Sequence, residues 1–243
     1  GAGVGVVKHG NRAASSSSGT ADVFEVLGIR LDVPAARIPA VFARSGITFC
    51  FAPVFHPSFR HTAVPRRELG IATPFNFLGP LTNPAQPAAS AIGCADVRMA
   101  PLMAGVLAAR GRDAFVFRGE DGLDEITITT TTRVWEVSGG QVAESVLDPT
   151  ELGFDLAPPE SLVGADPAFN ADVFRRVVGG EVSPVRDAVL LNAGAAIAAH
   201  EAGPGTLVER LAAGVERART SIDSGAAEQT LAKWAAATQD LAG

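Results

Sequence analysis

Two stretches of this 243-residue chain hold residue types from which a reaction site is made. The first, Lys8 to Asp22, gathers Lys8, His9, Asn11, Arg12, the serines Ser15, Ser16, Ser17 and Ser18, then Gly19 and Thr20. Small hydroxyls beside the free N–H groups of a helix start form a concavity for an anion, and Lys8 and Arg12 add full charge; a phosphate is the natural guest. Serine and glycine runs also form plain solvated loops. Here the donors sit directly after a strand, where open α/β sheets bind ligands. The second stretch is acidic: Asp121, Asp124 and Glu125. Neighbouring carboxylates at a strand end suit a hard cation such as magnesium, which keeps several waters and takes one or two protein oxygens beside substrate phosphates. A solvated acidic turn is the alternative on spacing alone; placed opposite a basic, hydroxyl-rich loop, the metal reading is the better one. A third group, Arg66 with His56 and Phe59 before it, has the parts to grip an aryl carboxylate, since a guanidinium pairs bidentately with a carboxylate. Arg66 and Arg67 equally suit a solvated helix face, and Phe59 a core.

The elements that must carry these groups follow from periodicity. Residues 1 to 7 read as an inner parallel strand, followed by a polar loop and a short helix from Val23 closed by Gly28. The run 33–46 has helical spacing and ends on a C-terminal glycine, Gly46; "ITFCFAP" is a strand. Residues 53–70 form a turn leading into a helix that stops near Gly70. "TPFNFLGPLTNPA" reads as an ordered loop, because Phe75, Phe77, Leu78 and Leu81 are too apolar to leave in water. A β-α-β pattern over 89–119 predicts parallel strands, the last delivering "EDGLDE" at its end. Alternation from Ile126 to Pro149 around Ser138-Gly139-Gly140 predicts an antiparallel hairpin on the sheet edge. From Pro167 onward the pattern is helical, with a last pair of helices across Gly225. The fold class expected is α/β, a mainly parallel central sheet flanked by helices with that hairpin at its edge. His61 and His200 read as structural or exposed, and Asp223 and Glu228 as capping or surface groups.

Composition bounds the function. The chain is 47% hydrophobic and 19% charged with a net charge of −6, enough apolar content for a sizeable core and no global field for nucleic acid. Cys50 and Cys94 lie in apolar runs without metal spacing and read as buried thiols of a reducing compartment. No apolar stretch reaches membrane-spanning length and no secretory segment opens the chain, so no membrane partner and a cytoplasmic location are expected. A G-x-S-x-G nucleophile elbow is missing, which argues against a serine hydrolase.

The segments "VKHGNRAASSSSGTADVFEVLG", "APVFHPSFRH", "RRELGIATPFNFLGPLTNPA", "DGLDEIT", "PVRDAVLLNAGAAIAAH" and "SIDSGAAEQTLAKW" closely resemble the anthranilate phosphoribosyltransferases of tryptophan biosynthesis, over essentially the whole chain. The resemblance implies a nucleoside phosphorylase/phosphoribosyltransferase-like fold and transfer of a phosphoribosyl group from 5-phosphoribosyl 1-pyrophosphate to anthranilate. It implies that Lys8, Asn11, Arg12, Ser15, Ser16, Ser17, Ser18, Gly19 and Thr20 bind phosphoribosyl pyrophosphate. Anthranilate would be bound by His9, Asn11, Pro53, His56, Phe59 and Arg66, with Arg66 on its carboxylate, and magnesium by Asp124 and Glu125. Phe59 and Val54 depart from a tyrosine and an arginine frequent in the family, at the entry side of the acceptor site. A homodimer in the full-length enzyme is also implied.

The family has an N-terminal helical subdomain and a glycine-rich loop ahead of the segment matching residues 1 to 7. Residues 1–243 are therefore expected to be one α/β phosphoribosyltransferase-type domain, with 53–80 supplying the acceptor-side helix and loop, and to turn over poorly without that segment. Rival readings are a pyrimidine nucleoside phosphorylase, which shares the fold and a related lysine-serine loop, and a catalytically incomplete ligand-binding or interaction fragment. His9-Gly10-Asn11 after the lysine, with Arg66 on a following helix, favours the transferase.

Overall fold

The computed structural model describes residues 1–12, 18–70 and 73–242, with Arg66, Arg67 and a few other helical residues of 60–76 described through their backbone alone. In order, the elements are β1 (Val6–Gly10), α1 (Thr20–Val26), α2 (Ile38–Ser45), β2 (Ile47–Phe51), α3 (Ala52–Phe55), α4 (Arg60–Leu69), α5 (Phe75–Leu81), β3 (Ala89–Gly93), α6 (Ala100–Ala109), β4 (Asp113–Gly119), β5 (Thr132–Ser138), β6 (Gln141–Leu147), α7 (Pro167–Val178), α8 (Pro184–Glu201), α9 (Leu207–Asp223) and α10 (Ala226–Leu241). The α/β class is as expected. So are the parallel strands flanked by helices and the hairpin at the edge, although among the described residues the strands form two sheets, a parallel pair β1-β2 and a mixed sheet β3-β4-β5-β6. In the second, β3 and β4 are parallel and the hairpin is antiparallel.

β4 explains the layering. Phe115 and Phe117 pack with Leu190, Leu191 and Leu211 of α8 and α9, while Ala114 and Val116 pack with Met103 and Leu107 of α6. Alternating residues thus enter two cores, as a strand buried on both faces requires. A third core joins Phe24, Val41 and Phe49 to Trp234 of α10, with the Phe24 and Trp234 rings edge to face at 4.9 Å. Gly194 and Gly214 let α8 and α9 meet backbone to backbone: a Cβ on Gly214 would lie 2.3 Å from the Gly194 carbonyl.

Three boundaries differ from expectation. β1 runs to Gly10, so Lys8 and His9 belong to the strand, in register with Phe49 and Cys50, and not to the loop. The segment expected to be an ordered loop forms α5, because Phe77 and Leu81, four residues apart, share one face against the α6 core. The hairpin begins at Thr132 rather than Ile126, since residues before it are tied into a turn described below. Gly46 (φ 71°), Gly139 (φ 56°) and Gly140 (φ 77°) take the left-handed backbone where a helix end and a hairpin turn need it.

Candidate functional site

The acidic turn is built by the end of β4. Asp121 Oδ1 accepts from the Leu123 N–H at 3.0 Å, and its Oδ2 accepts from the hydroxyls of Thr127 (2.7 Å) and Thr129 (2.5 Å). The Thr127 N–H in turn donates to the Thr132 hydroxyl, and both threonines are fully buried. Burial pushes Asp121 up, but these donors outweigh it and hold the carboxyl below its ordinary value. Asp121 is therefore a structural knot, and the carboxylates left to bind something are Asp124 and Glu125, both exposed. Gly93 lets the turn lie on β3: a Cβ there would sit 1.6 Å from the Asp124 carbonyl oxygen.

Glu125 retains solvent contact although protein surrounds much of it. Desolvation, and next the charge of Asp124, push its carboxyl up to about 7, against a downward pull from Lys8. The basic strand end and the acidic turn, which lie on different sheets, thus feel each other's charge. Among the described residues no cluster of three or more His, Cys, Asp or Glu is arranged to hold a metal. Two adjacent carboxylates, of which Glu125 is disfavoured as an anion without a counter-cation, fit a magnesium ion that completes its shell with water and phosphate, and would not fit a zinc-type site.

The basic side has two compartments. His9 donates through Nδ1 to the Gly79 carbonyl of α5 at 2.9 Å, its ring edge meets His56 at 4.9 Å, and His56 stacks on Phe59 at 5.0 Å. His56 Nε2 bonds the Thr82 carbonyl, and Asn83 donates to the Val7 carbonyl, so α5 and its following turn fasten β1 to the acceptor-side segment. A carbonyl can only accept, so Nδ1 carries the proton and His9 Nε2, buried and without a partner among the described residues, is an acceptor. Desolvation lowers the His9 pKa, the Gly79 bond opposes this, and His56 adds to it. A cavity of about 580 Å³ opens beside His56, Thr82, Asn83 and Arg110.

Arg12 is placed differently from expectation. Its guanidinium pairs with both oxygens of Glu25 and with Asp22, and lies 5.6 Å over the Phe51 ring. Asp22 also accepts from the Gly19 N–H at 3.0 Å, so the start of α1 already has a carboxylate of its own. Of the expected cations, Lys8 acts on the acid pair through its charge, while Arg12 braces α1. Asn11 is exposed and accepts from the Arg12 N–H; Pro53 is exposed in the first turn of α3. Ser15, Ser16 and Ser17 lie outside the described residues, as does the side chain of Arg66; Ser18 and Thr20 flank Gly19 at the start of α1. Cys50 and Cys94 are buried free thiols, both with raised pKa values. His61 and His200 are exposed. Asp223 is more than a surface group, for it pairs with the buried Arg186.

Comparison with known proteins decides the family. Residues 1–228 match the glycosyl transferase family a/b domain. The anthranilate phosphoribosyltransferase of a Nocardioides species is 62% identical over 238 residues, 98% of this chain and 70% of that protein. The chain belongs to the anthranilate phosphoribosyltransferases. The enzyme of an Arthrobacter species is 60% identical, covering 98% of this chain and 68% of its own length. Among solved structures, the anthranilate phosphoribosyltransferase of Thermus thermophilus superposes with a TM-score of 0.90 at 41% identity, over 98% of this chain and 70% of that one. The Saccharomyces cerevisiae enzyme in complex with PRPP and Mg gives 0.88 at 27% identity, over 97% and 65%. This member of the anthranilate phosphoribosyltransferases thus spans about two thirds of the length of such relatives. Among its described residues no helix is long and apolar enough to cross a membrane.

Sequence reasoning missed two residues of this region. Asp121's part in the threonine knot needed the folded turn, although five threonines after an acidic turn were a signal. Asn192, on α8, bonds the backbone of Ile126 across 66 residues, which no local pattern announces.

Proposed function

We propose that the chain transfers the phosphoribosyl group of 5-phosphoribosyl 1-pyrophosphate to anthranilate, giving N-(5-phosphoribosyl)anthranilate and pyrophosphate. The observation that carries the reading is the exposed Asp124–Glu125 pair held at the end of β4 by the Asp121 knot, with Lys8 near enough for its charge to pull the Glu125 pKa down. In the reaction the bond from ribose C1 to pyrophosphate breaks, the amine nitrogen bonds C1, and that nitrogen gives up a proton. Positive charge grows on the sugar and negative charge on the leaving group, so catalysis consists of placing the amine and stabilising pyrophosphate. Lys8 supplies fixed positive charge for the pyrophosphate, with Asn11, the Ser15 to Ser18 hydroxyls, Gly19 and Thr20 as further donors. Asp124 and Glu125 would hold magnesium, which supplies charge neutralisation on the pyrophosphate when bound. A phosphate at the start of α1 has to displace Asp22 from the Gly19 N–H, and Arg12 then contributes by holding Asp22 and Glu25.

On the acceptor side, neutral His9 accepts the amine N–H through Nε2, and His56 and Phe59 form an aromatic wall. By the family resemblance Pro53 and Asn11 contact the anthranilate ring, and Arg66 takes the carboxylate. An aromatic amine is largely neutral at pH 7, so orientation suffices and no strong base is needed. The same reading makes the full-length enzyme a cytoplasmic homodimer, for which light scattering is the direct check. The function itself is tested by titrating phosphoribosyl pyrophosphate into the purified chain with and without magnesium, and following anthranilate consumption by its fluorescence. Magnesium-dependent binding that Asp124→Asn/Glu125→Gln removes is the expected result. Binding indifferent to both magnesium and the double substitution would overturn it.

A further inference from the structure

We propose that Asn192 is a positioning residue that sets the direction of the Asp124–Glu125 segment, and through it the affinity of that acid pair for a divalent cation with pyrophosphate. The inference rests on the reading of Asp124 and Glu125 as the cation site. Asn192 Oδ1 accepts from the Ile126 N–H at 3.0 Å, while its Nδ2 donates to the Ile126 carbonyl at 2.9 Å and to the Ala188 carbonyl of its own helix at 2.9 Å. One side-chain amide therefore takes both backbone polar groups of the residue next to Glu125, as a neighbouring strand would. The Ile126 side chain is buried at 1% exposure, so these groups have little recourse to water. On the other side the segment is held by the Asp121 knot and by Gly93 under the Asp124 carbonyl. The acid pair hangs between two anchors, and Asn192 is the one tied to α8.

The residue type is informative. Asparagine is a poor choice for a helix interior, and α8 around it reads Leu190-Leu191-Asn192-Ala193-Gly194-Ala195, rich in packing residues. An aspartate would accept from the Ile126 N–H but has no donor for the carbonyl; a leucine offers neither. An amide that donates and accepts meets both needs, in the way that partners behind metal ligands orient them.

The test measures Mn²⁺ affinity in the presence of pyrophosphate, by electron paramagnetic resonance on the whole chain, beside thermal melts. Asn192→Leu and Asn192→Ala are expected to weaken Mn²⁺ by roughly 10- to 100-fold while still melting cooperatively. Thr238→Val is the control: Thr238, 2% exposed, accepts from the Arg30 N–H at 3.1 Å, a comparable long-range tie far from the acid pair, so its loss costs stability alone. Mn²⁺ affinity within about twofold of the unsubstituted chain in both Asn192 variants would overturn the proposal, as would an equal loss in Thr238→Val. Loss of cooperative melting in both Asn192 variants would assign the residue to fold maintenance and overturn it too. Asp124→Asn/Glu125→Gln reports on the underlying reading separately, for unchanged Mn²⁺ affinity there removes the cation site itself.

Discussion

The acidic turn between β4 and β5 and the basic segment at the end of β1 both follow a strand, yet different bonds hold them. In the turn, Asp121, Thr127, Thr129 and Thr132 lie within twelve residues and satisfy one another, with Asn192 and Gly93 as distant anchors. The basic segment is held almost entirely from afar: His9 by Gly79 at a separation of 70 residues, Val7 by Asn83 at 76, and the strand itself by β2. A knot of local bonds costs little loop entropy to close, so the carboxylates are presented by short-range chemistry, whereas the basic groups are delivered only when distant elements dock. Their electrostatics oppose as well. Glu125 is disfavoured as an anion and His9 as a cation, both first by desolvation.

Five variants break or sharpen this contrast. The largest effect is expected for Asp124→Asn/Glu125→Gln, which should lower the phosphoribosyl transfer rate by about 100-fold or more and erase its magnesium dependence. A steady-state assay across magnesium concentrations is the check, and the knot around Asp121 should keep unfolding cooperative. Next, Arg66→Ala should weaken anthranilate by roughly 2–5 kcal/mol while sparing pyrophosphate, as calorimetry with each ligand would reveal. Equal loss of both ligands would mean a folding defect instead.

Gly93→Ala should then cost about 1–3 kcal/mol of stability, because the new methyl group collides with the Asp124 carbonyl and forces the turn off β3. Denaturant unfolding measures the loss, and Mn²⁺ binding should weaken with it. Smallest are the pH effects, which have opposite signs. Glu125, raised from the ordinary 4.5 to about 7, binds a proton in the folded chain that the unfolded chain has lost, so stability falls as pH rises from 4.5 through 7. His9, lowered from 6.5, stays neutral while the unfolded chain gains a proton, so stability falls as pH drops below 6.5. Metal-free Glu125→Gln should therefore melt higher than the unsubstituted chain at pH 8 and like it at pH 4.5. The slope of Tm against pH below 6.5 should flatten in His9→Asn.

Much of the element order was legible because it rests on local signals. Gly46 and Gly225 end or join helices where helical spacing stops, and Ser138-Gly139-Gly140 turns a hairpin, for only glycine enters the left-handed region at little cost. α5 was not legible: Pro74, Gly79 and Pro80 signal a loop, and the burial of Phe77 and Leu81 against α6 overrides them. The end of β1 was missed because strand pairing is blind to side-chain polarity, and the exposed Lys8 pairs through its backbone in register with Phe49. At the site, the clustering of Lys8 with hydroxyls and of Asp124 with Glu125 was visible in composition. That Arg12 would turn to Glu25 was not.

By itself, then, the amino-acid sequence determined what depends on neighbours along the chain: which segments are helix or strand, where glycines turn them, and which residues bring charge and hydroxyls. The family resemblance was legible there too, since long motifs survive as strings. Tertiary structure alone decided the division of strands into two sheets, the assignment of Asp121 to the knot and of Asp124 and Glu125 to the open face, and the influence of the Lys8 charge on Glu125. It also decided the grip of Asn192 on Ile126. These depend on which groups desolvate and pair across 60 to 120 residues, and Coulomb and hydrogen-bond energies are set by distance in space, for which sequence separation carries no record.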